Sequence, residues 1–371
     1  MGNLHIENNT MNTKSILLKL LFAVIVLSSC GQRANPLGVR SADRDTLAIQ
    51  TRPDCNAVYY WKTRFALNEF EQTFLREHKI GRIYLRFFDV AVSEDLMGDV
   101  KDAVPIGTVA FDCPKPEDVE IVPTVFATVP ALGVVSYQDN GIDSLASRIV
   151  TRVLNMADYH DMGPIHEIQL DCDWTERTRD TFYYLCSCVR KRLHQKGIAL
   201  SATIRLHQLR QSAPPVDRGV LMVYNTGMIQ KQSTHNSILS ETDVRQYLKG
   251  TPVKYDLPLD FAWPTYGWGV WFSDGKFRGL LHHTDYSDTS LYAKQADGTL
   301  RVICEHQMEG HSLLPGDRIR PENSPYDAVA AVKALVNQAF PDQKHNNILY
   351  HLDSLNLSHY TSDEIQNFFS H

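Results

Sequence analysis

The 371-residue chain has no excess of basic charge: 37 Lys and Arg stand against 43 Asp and Glu, for a formal net charge of −6. Such a surface offers a polyanion little attraction, which excludes nucleic acid as the expected partner. No glycine-rich phosphate turn follows an early strand, no P-loop is present, and there is no Gly-x-Ser-x-Gly elbow. Cysteine and histidine never fall at zinc-site spacing, so neither a metal nor a cofactor is expected. "LHHTDY" sets His282 and His283 beside Asp285, which reads as a solvated loop. Internal repeats and low-complexity runs are also missing.

Long apolar runs are missing as well, save one near the N-terminus. "MNTKSILLKLLFAVIVLSSC" carries Lys14 and Lys19 and an apolar stretch from Ile16 to Leu27. It is too short to span a bilayer and ends in small residues, the pattern of a secretory signal. Leu27-Ser28-Ser29-Cys30 resembles a bacterial lipobox, with Cys30 as the lipid-bearing residue and Met11 as the expected start. Residues 1–30 therefore read as a lipoprotein signal peptide. "GQRANPLGVRSADRDTLAIQTRPD", residues 31–54, is polar and turn-rich and reads as a flexible tether. The expected location is the bacterial cell envelope, with the lipid as the sole membrane contact. Gly31 rather than Asp after the cysteine resembles sorting to the outer membrane.

Of the seven cysteines, six remain once Cys30 carries lipid. An even number in an exported protein permits disulfides. Cys172, Cys186 and Cys188, however, lie in apolar patterns where cysteine packs as a small hydrophobe, so mostly free thiols are expected.

From residue 55 the chain alternates short apolar runs with helical periods. Strands are expected at 58–63, 82–90, 121–128, 166–174, 199–206, 219–227, 259–268 and 346–356. Amphipathic helices are expected at 66–79, 142–160, 179–197, 240–250, 324–340 and 362–369, with Ser240 and Ser324 as N-caps. Eight strands alternating with helices predict an α/β fold, a (β/α)8 TIM barrel over residues 55–371. A doubly wound open sheet is the rival, and the missing phosphate turn weighs against it. Residues 267–318 interrupt the alternation. Asp274-Gly275 and Asp297-Gly298 sit between β-rich flanks, which predicts a small antiparallel insertion between strand 7 and its helix. A monomer is expected.

The segment "HEIQLDCDWTERT" carries the candidate chemistry. Glu167, Gln169, Asp171 and Asp173 fall on one face of strand 4, and Ile168, Leu170, Cys172 and Trp174 on the other. The apolar face packs on the outer helices, so the acids point into the barrel. Buried carboxylates need partners. Arg86 on strand 2 and Arg205 on strand 5 are the candidates for Asp171, and His207 shares the Arg205 face. Trp263, Tyr266, Trp268 and Trp271 cluster at the end of strand 7, where aromatic faces could stack on sugar rings.

"LDCDWT" is similar to the fourth-strand Asp-x-Asp-x-Glu motif of the chitinase-like glycoside hydrolases (family eighteen), and Met222, Tyr224 and Asn225 resemble that family's sixth-strand motif. The chain also looks like exported barrel lipoproteins that carry the Asp-x-Asp strand without the Glu. The resemblance implies a glycan partner, with Asp173 as the residue that orients an acetamide, Asp171 behind it, Tyr224 against the acetamide, and Asn225, Arg205, Trp174, Trp263 and Trp268 in substrate binding. It also implies a proton donor at position 175, where this chain has Thr175. Glu176, Glu305 or Asp353 could substitute, or chitinase-type hydrolysis is lost. The implied function is a glycoside hydrolase-like envelope protein acting on a glycan. The alternative is a non-catalytic glycan-binding or scaffold protein on the same barrel.

The anchor is directly testable. Cys30→Ala is expected to release the protein from membranes or to leave it as an uncleaved precursor, since one thiol carries the lipid. Unchanged fractionation with unchanged mass on electrospray would refute the lipobox.

Overall fold

The computed structural model describes residues 54–94, 101–136, 140–249, 253–282, 285–341 and 343–370. All belong to the unit Thr46–His371. The signal peptide with Cys30, the tether up to residue 53, and His283 lie outside the described residues.

Eight parallel strands close into a barrel: β1 (Asn56–Tyr60), β2 (Ile80–Glu94), β3 (Glu120–Ala127), β4 (Glu167–Asp171), β5 (Ala199–Arg205), β6 (Arg218–Met222), β7 (Leu259–Pro264) and β8 (Asn347–Tyr350). Each pairs with its neighbour in sequence, and β1 pairs with both β2 and β8, which leaves no open edge in the ring. This is the TIM barrel the alternation predicts, not an open sheet. The helices α1 (Glu69–Glu77), α2 (Val129–Ser136), α3 (Gly141–Tyr159), α4 (Arg179–His194), α5 (Glu241–Tyr247), α6 (Tyr326–Ala339), α7 (Ser354–Leu357) and α8 (Ser362–Phe369) follow in chain order.

Local chemistry explains the helix starts. Asn68 accepts from the Glu71 amide while Glu71 reaches back to Asn68, and Thr361 and Glu364 do the same at α8. Ser240 caps α5 as expected. At α6 the cap is Pro325 rather than Ser324, whose hydroxyl donates instead to the Tyr266 carbonyl at 2.8 Å.

Two connections depart from simple alternation. β2 runs 15 residues, and its upper part, Asp89–Glu94, pairs with an antiparallel strand, Lys101–Ile106, where a crossover helix would otherwise lie. Between β5 and β6 only a 3₁₀ turn, Leu206–Arg210, intervenes.

After β7 the chain leaves the barrel for a five-stranded antiparallel sheet (Trp268–Ser273, Lys276–Leu281, Tyr292–Lys294, Leu300–Val302 and Arg318–Glu322) and a two-stranded ribbon, His306–Met308 with His311–Leu313. Asp274 and Gly275 both take positive φ (50° and 74°), as a tight two-residue hairpin requires. The insertion has its own small core of Leu281, Tyr292, Leu300, Val302, Leu313 and Ile319. Its last strand extends to Glu322, past the expected end at 318. Cys172, Cys186 and Cys188 are buried free thiols, as their apolar settings predict, while Cys304 is a free thiol exposed in the insertion.

The C-terminal helix is held by one cation. Lys333 on α6 is buried, and its Nζ donates to the carbonyls of Asn367, Phe368 and Ser370 at 2.8, 2.9 and 2.5 Å. These are carbonyls that a helix end leaves without intrahelical donors. Lys333→Met keeps the stem and removes the donor, and is expected to cost about 1.5–3 kcal/mol. A denaturant midpoint equal to that of the wild type would show that the lysine contributes nothing to the end of α8.

Candidate functional site

β4 and β5 line the barrel interior with polar side chains that satisfy one another. Ser201 donates to Glu167 at 2.6 Å, Gln169 donates to Ser201 at 3.3 Å, and Tyr59 donates to Gln169 at 2.8 Å. One layer higher, Thr203 donates to Asp171 at 2.5 Å. At the top, Arg205 bridges two acids: its Nε lies 2.5 Å from Asp173 and its Nη2 lies 3.5 Å from Asp171. Glu167, Gln169 and Asp171 thus share the inward face that the alternation predicts, and Arg205 rather than Arg86 is the partner of Asp171. Arg86 is engaged by Asp89, at 2.5 and 2.8 Å.

The electrostatics follow from burial. Desolvation raises the pKa of Asp171, Arg205 pulls against it, and Asp173 adds to the rise. Burial works against the charge on Arg205, but Asp171 and Asp173 outweigh it and hold the guanidinium above its ordinary pKa.

Above this layer opens a cavity of about 710 Å³ at the C-terminal end of the strands. Its aromatic lining is continuous. Tyr224 and Tyr350 have centroids 4.9 Å apart, Tyr350 and Trp61 6.0 Å, Tyr266 and Tyr350 5.6 Å, and Tyr266 and Trp268 5.2 Å. The Tyr224 hydroxyl donates to the Met222 sulfur at 2.9 Å, a weak acceptor that a ligand oxygen can replace. Burial pushes that hydroxyl well above the usual phenol pKa. The Tyr266 hydroxyl donates to Asn225, at 2.7 Å.

The insertion fixes one wall. Trp268 donates its indole N–H to Glu322 at 2.7 Å, and Ser237 donates to the same oxygen. Arg320 holds the other Glu322 oxygen at 2.6 Å and donates to the carbonyls of Lys231 and Ile229 at 2.8 and 3.0 Å. One buried ion pair thus joins the insertion, the loop after β6 and a cavity aromatic.

Of the residues singled out in the sequence, Asp171, Asp173, Arg205, Tyr224, Asn225, Tyr266 and Trp268 converge on this cavity, as do Arg86 and also His282, which the sequence places only in a solvated loop. Trp174 and Trp263 do not. Trp174 is fully buried against Phe182 and Tyr183 of α4, with centroids at 6.3 and 5.3 Å. Trp263 is fully buried and donates to Asn347 at 2.8 Å. Outward-facing positions in a barrel meet helices, not ligand. β4 ends at Asp171, so Asp173 stands beyond the ladder with its side chain 56% exposed, free to meet a ligand. Glu176 is exposed in the turn after β4 and outside the cavity lining, and Glu305 is exposed in the insertion. His207 falls in the 3₁₀ turn, outside the lining as well.

Thr175 does not occupy an acid's place in the mouth. Its amide donates to the Thr178 hydroxyl at 2.9 Å, tightening the turn into α4. Asp353 does line the cavity, but it is committed. It caps the Asn356 amide at 3.1 Å and pairs with Lys62 at 2.9 Å. Burial pushes Asp353 up, yet Lys62 and the cap outweigh it and hold the carboxyl below its ordinary value.

The sequence reading missed Trp61, Lys62, Asp89, Tyr350 and His351 as cavity residues. Their one signal is position: Trp61, Lys62, Tyr350 and His351 stand at or just past the ends of β1 and β8, and Asp89 where β2 leaves its pairing with β3.

No protein-family model and no curated protein matches the chain. Solved structures do. A chitinase from Chromobacterium violaceum is 14% identical with a TM-score of 0.48, over 85% of this chain and 98% of that one. The spore cortex-lytic enzyme SleL of Bacillus cereus is 12% identical with a TM-score of 0.47, over 85% and 75%. A class V chitinase from Nicotiana tobaccum, solved as a mutant in complex with NAG4, is 13% identical with a TM-score of 0.46, over 83% and 98%.

Arg205→Met is expected to cost about 3–5 kcal/mol at pH 7, because it leaves Asp171 buried without its cation. The loss should shrink as pH falls. The folded pKa of Asp171 is already raised, and losing Arg205 raises it further above the unfolded value of about 3.9. The folded variant then binds a proton before the unfolded chain does, which stabilises it as pH drops through that window. Urea unfolding at pH 7 and pH 5 measures this, and an equal loss at both would contradict it.

Proposed function

We propose that this barrel binds a glycan at its mouth, as an exported lipoprotein of the cell envelope, and does not run chitinase-type acid catalysis. One observation carries the reading. Each acid lining the cavity is held by a cation: Asp171 and Asp173 by Arg205, Asp89 by Arg86, and Asp353 by Lys62. General acid catalysis needs a protonated group within hydrogen-bond reach of the leaving oxygen, with a pKa near the working pH. Lys62 and the helix cap hold the Asp353 carboxyl below its ordinary value, and Asp171, which burial raises instead, is buried with Thr203 and Arg205 on one oxygen. The aromatic lining and the exposed Asp173 still suit a sugar, with ring faces for its apolar side and a carboxylate for its polar edge. The matching positions of Asp173 and Tyr224 in the resembled motifs support an acetamido sugar as the unit held there.

The rival, a hydrolase, needs an acid in free form, and among the described residues each acid lining the cavity is paired. Glycosidases place two carboxyls about 5–10 Å apart across the scissile bond, one of them protonated.

Calorimetry with the N-acetylglucosamine tetramer, paired with mass spectrometry of the incubated sugar, tests the proposal. The wild type is expected to bind and to release no shorter products. Trp61→Ala, which strips a partly buried ring from the lining, is expected to weaken binding about tenfold. Thr175→Glu is expected to add far less than the ~10²–10⁴-fold of a positioned general acid, because that position closes a turn outside the cavity lining. Turnover of the tetramer by the wild type would overturn the non-catalytic reading.

A further inference from the structure

The flank of the barrel opens where the crossover after β2 has no helix. The chain returns instead as the antiparallel strand Lys101–Ile106 along the upper part of β2. A strand spaced about 4.8 Å from its neighbour covers less of a barrel than a helix about 10 Å across. Between that strand and α3 a second cavity of about 690 Å³ remains. Among the described residues, none lines both this groove and the mouth.

The two-residue period of β2 sets the chemistry of the groove. Asp89 faces the mouth, so Phe88 and Val90 face the opposite way, toward α3. Ala103, Leu145 and Ile149 complete a buried apolar floor. Two arginines of α3 line it about one turn apart, and their partners differ. Arg148 pairs with Asp102 at 2.9 Å. Arg152 has no acid partner among the described residues. Its Nη2 donates to the Thr108 hydroxyl at 3.0 Å, its guanidinium carbon lies 5.1 Å from the centre of the Phe88 ring, and its Nε is buried with no hydrogen-bond partner. A half-buried cation held by a hydroxyl and a ring face has given up water without gaining a counter-charge. Apolar surface continues outward from the groove, in Tyr159 (83% exposed) at the end of α3 and in Ile106 (46% exposed) beside Pro105.

This volume, with mostly apolar walls and few polar groups, suits a small molecule. An apolar body matches the floor, and one anionic group answers Arg152. Among anions a carboxylate fits the planar donors of a guanidinium. We propose that the groove between α3 and Lys101–Ile106 binds a single-chain amphiphilic carboxylate, with its head on Arg152 and its alkyl chain along Phe88 and Ile149. The site stands apart from the glycan reading and does not depend on it.

The test measures decanoate and decanol by calorimetry at pH 7 on the full chain, as wild type, Arg152→Met, Arg152→Lys and Asn155→Asp. The wild type is expected to bind decanoate about tenfold more tightly than decanol. Methionine keeps a stem over Phe88 and removes the charge, so decanoate should weaken about tenfold with decanol unchanged. Lysine restores the charge and should recover at least threefold of that loss. Asn155 is exposed in the lining three residues along α3 from Arg152, and Asn155→Asp sets a rival carboxylate beside the guanidinium. It should weaken decanoate about threefold and leave decanol unchanged. Equal affinities of the wild type for the two probes, no binding of decanoate, or an Arg152→Met variant that loses nothing overturns the proposal. So does a dimer in light scattering that Arg152→Met disperses, which would seat a second copy of the chain in the groove. If Arg152→Met gives no cooperative melt, Asn155→Asp decides alone, and an unchanged affinity for decanoate overturns the site.

Discussion

A single guanidinium makes the upper barrel possible. Asp171 is buried and Asp173 stands just above it, both drawn to Arg205 across the β4–β5 seam. Two carboxylates this close to one arginine would repel and desolvate each other if it were absent. With it, the polar ladder below can run unbroken from Glu167 through Ser201, Gln169 and Tyr59. Each of those groups gives or takes a hydrogen bond, which is the condition for polar side chains inside a core. The register of β4 against β5 follows, since a slip of one residue would turn the acids toward the helices.

The same charge balance shapes the mouth. Because Arg205 satisfies the acids from within, the floor above it can be aromatic and largely buried, and Tyr224, Tyr266 and Tyr350 pack there as a layer. Trp268 joins this layer from the insertion, steadied by Glu322 and, through it, by Arg320. The insertion is thus part of the cavity wall and not an appendage. Its hold on the loop after β6 runs through the Arg320 contacts to the carbonyls of Ile229 and Lys231.

Much of this was legible in the sequence, and the gaps have physical causes. Alternation in "HEIQLDCDW" assigned Glu167, Gln169 and Asp171 to the interior, because a two-residue period survives any neighbour. The same alternation sent Trp174 outward, and outward in a barrel means under a helix, so its likeness to a ligand-facing tryptophan misled. Trp263 misled in the same way. Asp-Gly pairs located the two hairpins of the insertion: Asp274 and Gly275 both take positive φ, and in the second pair Gly298 does. Strand ends were read too long at β4, β7 and β8, because apolar residues continue past the last ladder bond into packed loops. Lys62 and His351 carried no pattern at all. Their importance comes from closure of the ring, which sets β1 beside β8, a contact between residues nearly 300 positions apart.

The titratable groups of the mouth also bear on what it can do. Proton transfer at neutral pH needs groups whose pKa lies near 7. Here burial and pairing drive several of them away from it. Burial holds His351 down at about 4 and lifts Tyr224 and Tyr266 well above the usual phenol range. For Lys62, burial disfavours the charge, but Glu71 and Asp353 overcome it and raise the ammonium, while Asp353 is lowered in turn. Asp171 is the exception, since its pKa moves upward toward neutrality. It is also the acid farthest from solvent, with one oxygen receiving Thr203 and facing Arg205. His351, Tyr224, Tyr266, Lys62 and Asp353 thus present a constant set of donors and acceptors near neutral pH. Under the glycan reading proposed above, such a set suits a neutral polyhydroxylated ligand.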